Sequence, residues 1–109
     1  MANIYSPTIE KVMELCNQDS LALHEAEKSY ADSWKKRGGV GAMMMLARKW
    51  DRIENQVQND NYDVFTAISN DASSDGIMDD IRDLRRYLLL VEAEMVMRGT
   101  VNAERRRET

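Results

Sequence analysis

The sequence predicts an all-α protein, an antiparallel bundle of about four helices. Apolar residues recur at spacings of three and four, no segment alternates polar and apolar residues as a strand does, and the chain has one proline and five glycines in 109 residues. Hydrophobic residues make up 43% and charged residues 31%, the balance of a folded domain. We therefore predict one all-helical domain over residues 1–97, with helices that pair antiparallel across short loops.

The first helix is predicted to begin at Ser6. Its hydroxyl can cap the exposed amides of the first turn, and Pro7 is tolerated there because the missing N–H has no partner in a helix. The polar residues 17–20 interrupt the apolar stripe and predict a bend or break. Cys16 precedes them and is expected to pack as a small hydrophobe.

The second helix is predicted to follow a loop over residues 37–41. Three of those residues are glycines, and each costs about 1 kcal/mol in a helix interior relative to alanine. Beyond the loop an apolar ridge runs at helical spacing: Ala42, Met43, Leu46, Trp50, Ile53 and Val57. Trp50 lies on this ridge, so we expect it in the core.

A short third helix is predicted over residues 62–68, with Val64, Phe65 and Ile68 facing inward. Turn-forming residues 69–76 follow. The last helix is marked by apolar residues at alternating intervals of four and three, a pattern typical of a helix–helix seam: Ile77, Ile81, Leu84, Leu88, Val91 and Met95. We expect this helix to end near Gly99.

Several apolar residues of the last helix lie outside that seam: Leu89, Leu90, Val96 and Met97. One partner helix cannot cover so wide an apolar surface, and the sequence therefore predicts a homo-oligomer.

Charge and composition narrow the classes of partner. The net charge is −4, and residues 98–109 contain four arginines and two glutamates, so residues 1–97 carry −6. An acidic body argues against binding of duplex nucleic acid, and the basic segment 98–109 is interpreted as a flexible, solvated tail. A single cysteine and the lack of any run of eighteen apolar residues predict a cytoplasmic protein that does not cross a membrane.

Two acidic pairs are the candidate chemical groups. Asp51 and Glu54 are three residues apart, as are Asp80 and Asp83, and this spacing places each pair on one side of a helix. Two facing pairs would supply the oxygen ligands that magnesium prefers. Each motif also contains an arginine, so ordinary surface ion pairs remain the alternative.

The acidic arrangement resembles that of the all-α nucleoside triphosphate pyrophosphatases of the MazG and dimeric dUTPase type, which carry Glu-x-x-Glu and, farther along, Glu-x-x-Asp. Three segments are similar to a phage-associated relative, the nucleotide modification associated domain family: Trp34-Lys35-Lys36-Arg37-Gly38-Gly39, Arg48-Lys49-Trp50-Asp51-Arg52 and Asp79-Asp80-Ile81-Arg82-Asp83-Leu84-Arg85-Arg86-Tyr87. The resemblance covers about residues 25–97.

That resemblance implies magnesium-dependent release of pyrophosphate from a nucleoside triphosphate in phage nucleotide metabolism. Asp51, Glu54, Asp80 and Asp83 would then be the catalytic metal ligands. Asp51 and Asp80 stand where the hydrolases have glutamate and are one methylene shorter.

Basic and aromatic residues near the glycines are candidates for nucleotide contact. Lys35, Arg37 and Lys49 could neutralise phosphate charge, and Trp34 could stack on a base. An ordinary interhelical turn and core packing are the alternatives for these residues. Two alternatives also remain for the whole chain, namely a non-catalytic protein that sequesters a nucleotide or a nucleotide-derived signal, and a helical interaction module.

Overall fold

A computed structural model describes the backbone of residues 4–70 and 75–108, and the side chains of residues 4–70 and 76–99. The described backbone contains four α-helices and no strand, which confirms the all-α class. The helices are α1 (Pro7–Tyr30), α2 (Gly38–Val57), α3 (Val64–Asn70) and α4 (Asp75–Glu108), with 3-10 turns at Ser33–Lys35 and Gln58–Asp60. The chain forms two compact units, Met1–Lys36 and Arg37–Thr109.

The first unit contains α1, which begins as the sequence predicts. The Ser6 hydroxyl accepts a hydrogen bond from the Ile9 amide at 3.2 Å, and Pro7 is the first helical residue. The predicted break at residues 17–20 is wrong, because α1 is continuous there. Ser20 donates its hydroxyl to the carbonyl of Cys16 at 3.1 Å, a bond made inside the helix. Cys16 itself is exposed rather than packed.

The second unit begins with α2, and its glycines form the first turn of that helix rather than the predicted loop. Gly38 has a φ of 74°, a left-handed conformation that glycine adopts without steric cost. Arg37 occupies the N-cap position, and no described side chain caps the helix. Glycine is tolerated here because the first-turn amides lack intrahelical partners in any sequence.

The helices α2 and α4 pack antiparallel. Lys49 pairs with Asp83, and Arg52, farther along α2, pairs with Asp80, which lies earlier in α4. The 3-10 turn at Gln58–Asp60 and α3 lie at the end of this hairpin, between α2 and α4 in the chain. There a small core forms from Val57, Ala67 and Ile77, with Val64 and Ile68 packed against it.

Phe65 does not join that core, contrary to expectation, and is 80% exposed. Asp63 sets the phase of α3, because its carboxylate accepts hydrogen bonds from the amides of Phe65 at 3.0 Å and Thr66 at 3.1 Å. In that phase Val64, Ala67 and Ile68 share the inner face at spacings of three and four, and Phe65 falls on the opposite face.

The last helix extends farther than predicted. It passes through Gly99 and continues to Glu108, because one glycine costs only about 1 kcal/mol and the following residues are mostly good helix formers. Among the described helices, this one included, none combines the length and the apolar character needed to cross a bilayer.

Protonation of the Asp63 cap is expected to weaken α3. Hydrogen bonding from the Thr66 amide lowers the pKa of Asp63 below its ordinary value of 3.8. The stabilisation is therefore complete above about pH 4, near the unfolded-state pKa, and is lost as the pH falls through the lower folded-state pKa. The protection factor of the Thr66 amide, which is the intrinsic exchange rate divided by the rate measured by NMR, should decrease over that acidic range.

The control for this prediction is Asp63→Asn, which keeps an oxygen acceptor at the cap but does not titrate. Exchange at Thr66 in this variant should lose the pH dependence that is specific to the carboxylate. Identical pH dependence in both chains would contradict the assignment of the cap to Asp63.

Candidate functional site

Asp80 is the centre of the polar contact between α2 and α4. Its side chain is buried, with 2% of the residue exposed. One carboxylate oxygen accepts a hydrogen bond from Arg52 Nε at 2.9 Å, and the other accepts from Gln56 Nε2 at 2.7 Å. Arg52 and Gln56 are four residues apart on α2, so one buried acid is bonded to two successive turns of the facing helix.

Lys49 extends this network by one further turn of α2. Its ammonium donates to Asp83 Oδ2 at 3.1 Å and lies 3.9 Å from Asp80 Oδ1. Burying a carboxylate is costly unless opposite charge and hydrogen bonds offset the lost hydration. Lys49 and Arg52 provide opposite charge beside Asp80, which explains why a carboxyl side chain is tolerated at this buried position.

The other acidic pair points away from this network. Asp51 and Glu54 are exposed, and Glu54 accepts a hydrogen bond from Trp50 Nε1 at 3.1 Å. Asp51 precedes Arg52 by one residue, which turns its side chain about 100° around the helix from the residue that meets Asp80. The structure thus brings Asp80 and Asp83 to the α2–α4 contact and leaves Asp51 and Glu54 on another face of α2.

In this arrangement the four carboxylates do not fit a common magnesium ion. The α4 acids are bonded to Lys49, Arg52 and Gln56, whereas a cation site needs oxygens that converge on empty space. Among the residues whose side chains the structure describes, no group of three or more His, Cys, Asp or Glu residues could hold a metal ion.

The residues predicted to contact phosphate or base belong partly to the first unit and partly to the second. Lys49 is engaged with the α4 acids. Within the first unit, the Lys35 ammonium lies 5.9 Å from the ring centroid of Trp34 and 3.9 Å from Asp32, an intramolecular cation–π and ion-pair arrangement. Arg37 is exposed at the N-cap of α2. Lys49, Lys35 and Trp34 thus make contacts within the protein, and the role of these residues and of Arg37 in nucleotide binding stays a prediction.

Comparison of the chain with protein-family models, with characterised proteins and with solved structures finds no match. The resemblance to the pyrophosphatases is therefore carried only by the motifs quoted above.

An exposed apolar face lies on the outside of α2, where the sequence pattern predicts Met43 and Trp50 in the core. We call it the outer stripe and define it as Val40, Met43, Met44, Ala47 and Trp50. Val40 is 79% exposed and Met43 62%. Trp50, expected in the core, is 55% exposed. A second apolar face could have been found from the sequence, because the apolar residues Val40, Met43, Ala47 and Trp50 follow one another at spacings of three, four and three.

A second apolar surface lies along α4. The seam residues alternate, so that Ile77 is buried while Ile81, Leu88 and Met95 are exposed. We call these three residues, which repeat every seven positions, the open row of α4. α2 covers one side of this seam and leaves the other side exposed, as in a helix that lacks a second neighbour.

A polar cleft of about 250 Å³ lies beside α3. Its lining residues are Asn55, Gln56, Asn59, Asp60, Ala67, Asn70 and Ile77. Asn70 donates an amide hydrogen bond to Asp60 at 2.9 Å, and Gln56 is committed to Asp80. Three of its polar side chains are thus engaged within the protein, and we assign the cleft no ligand.

Removal of the buried carboxylate is expected to destabilise the second unit. Asp80→Ala leaves Lys49 without one of its acids and removes both hydrogen bonds to α2, which should cost about 2 kcal/mol because Arg52 can partly rehydrate. Equilibrium urea unfolding gives this difference directly.

Asp79→Ala is the matched control for that substitution. Asp79 is the neighbouring residue, is exposed, and pairs with Arg82 at the surface. Surface pairs contribute little, so its cost should stay within about 0.5 kcal/mol. Equal losses for the two variants would contradict a special role for Asp80.

Proposed function

We propose that the chain is a helical interaction module whose α2–α4 hairpin docks against helices of a partner and completes a bundle. The observation that supports this proposal is that α2 is apolar on two sides. One side, with Ala42, Ile53 and Val57, is buried within the unit, and the other is the outer stripe. An apolar side of a helix that faces water is stabilised when a partner covers it.

The exposed side chains make a partner energetically favourable. Burying one large apolar side chain contributes about 1.5–3 kcal/mol, and the outer stripe contains four such side chains. Isolated exposed apolar residues are common on proteins, but the five residues of the outer stripe lie together on one face of α2, which Asp51 and Glu54 share. Grouped apolar side chains of this kind favour an interaction surface. The open row of α4 provides a second surface of the same character.

The triphosphate pyrophosphatase is the competing proposal. It would require Asp80 and Asp83 to leave their basic partners on α2 and to meet Asp51 and Glu54, which lie on a different face of that helix. That rearrangement would disrupt the contact that joins α2 to α4. The interaction module requires no such change, and for this reason we favour it.

An apolar-surface probe tests the interaction module. At about 1 μM, where weak complexes dissociate, 8-anilinonaphthalene-1-sulfonate should fluoresce on the folded chain, because the apolar faces are then accessible. Met44→Gln combined with Leu88→Gln should reduce the signal while far-UV circular dichroism and cooperative thermal unfolding are retained. A folded chain that neither binds the probe nor associates at any concentration would contradict the proposal.

A nucleotide assay separates the two proposals. Purified chain with magnesium and a panel of nucleoside triphosphates should release no pyrophosphate and should show no ligand-dependent rise in Tm. Asp51→Asn is the appropriate variant, since Asp51 is exposed and its loss spares the α2–α4 contact, unlike Asp80→Asn. Pyrophosphate release that Asp51→Asn abolishes would establish the hydrolase instead.

A further inference from the structure

We propose that the outer stripe of α2 binds the outer stripe of a second copy of this chain, with the two helices antiparallel about a two-fold axis at Ala47. This inference rests on the proposed function, because it names the partner of the interaction module. It is carried by the order of side chains along the stripe, by the charges at its two ends and by its area.

The order of side chains makes the stripe complementary to itself. An antiparallel pair centred on Ala47 places Trp50 of each copy beside Met43 of the other. A thioether against an indole ring is a favourable contact, and the two alanines at the centre let the helix axes approach to about 8 Å. On the other flank, Asp51 of each copy lies beside Met44 of the other, at the edge of the pair where its carboxylate stays hydrated. The size order large–small–large of the apolar residues matches its own reverse.

Charge complementarity sets the direction of the pair. Glu54 follows Trp50 by one turn, and in the antiparallel arrangement it lies opposite Val40 in the first turn of the second copy's α2. That turn contains no acidic residue, and Arg37 holds its N-cap position without a side-chain cap. Its amides and the positive end of the helix dipole are therefore complementary to a carboxylate.

A parallel pair would lose these advantages. It would place Glu54 against Glu54 and align the two helix dipoles side by side, and both arrangements are repulsive. It would also bring the two Trp50 side chains together and leave the methionines opposite each other. The two-fold antiparallel pair instead repeats each favourable contact twice, as an isologous interface does.

The area is sufficient for a weak, specific dimer. Complete burial of Val40, Met43, Met44 and Trp50 in both copies would remove on the order of 1,000 Å² from water, close to the lower limit for specific interfaces. Interfaces at this lower limit are typical of weak, transient complexes. The dimer should therefore form over the concentration range that sedimentation measures.

Sedimentation equilibrium of the full chain tests the proposal. The wild-type chain should pass from monomer to dimer between about 1 and 200 μM. Met43→Glu should raise the dissociation constant of the dimer at least about tenfold, because it buries a charge beside Trp50. The matched control is Met78→Glu, the same substitution at an equally exposed methionine of α4 outside the stripe, which should leave the constant unchanged. Circular dichroism verifies that each variant is folded.

Symmetric cross-linking tests the register. In a Cys16→Ser background, Ala47→Cys should give a covalent dimer when copper phenanthroline oxidises the two thiols to a disulfide, since residues at the axis face their own copies. Gln58→Cys, at the end of the same face, should not cross-link to itself. Cross-linking by Gln58→Cys in preference to Ala47→Cys would overturn the antiparallel register.

The outcomes separate failure of this inference from failure of the proposed function. If the wild-type chain stays monomeric yet binds the apolar probe, the proposal that a second copy is the partner is wrong. The proposal of an interaction module is then retained, with a different partner. A monomer that does not bind the probe overturns both. A dimer that Met43→Glu leaves intact uses another surface, and the role of the outer stripe is then wrong.

Discussion

The buried carboxylate of Asp80 fixes the relation between α2 and α4. It is bonded to Arg52 and Gln56 on successive turns of α2, and Lys49 lies within 4 Å on the turn before. If α4 slid by one helical turn, Asp80 would lose its paired hydrogen bonds to Arg52 and Gln56, a costly loss for a buried carboxylate. Apolar packing alone tolerates such slippage, so this polar contact selects one register.

Much of the fold follows from short-range sequence patterns, namely helix caps and apolar residues at helical spacing. The Ser6 cap, the ridge of α2 and the seam of α4 each depend on residues three or four positions apart, and each lies in a helix of the structure. The predicted boundaries were less accurate. Glycines in a first turn and a lone glycine in α4 cost too little to end a helix when neighbouring residues favour it.

The candidate site was harder to predict because spacing gives the side of a helix that residues share, but not what that side meets. Asp51 and Glu54 share one side of α2, yet the residues that meet α4 are Lys49, Arg52 and Gln56. Trp50 shows the same limit. The helix that carries it, α2, has apolar residues on two sides, and periodicity does not tell which of these sides the chain itself covers.

The methionines of the outer stripe give that surface a chemical sensitivity. Thioethers are flexible and polarisable, so Met43 and Met44 can adjust to a neighbouring surface at little energetic cost. The same atoms are accessible to peroxide, which converts a thioether to a polar, chiral sulfoxide that methionine sulfoxide reductases can restore. Oxidation of Met43 and Met44 would therefore make the outer stripe more polar and weaken the binding proposed for it.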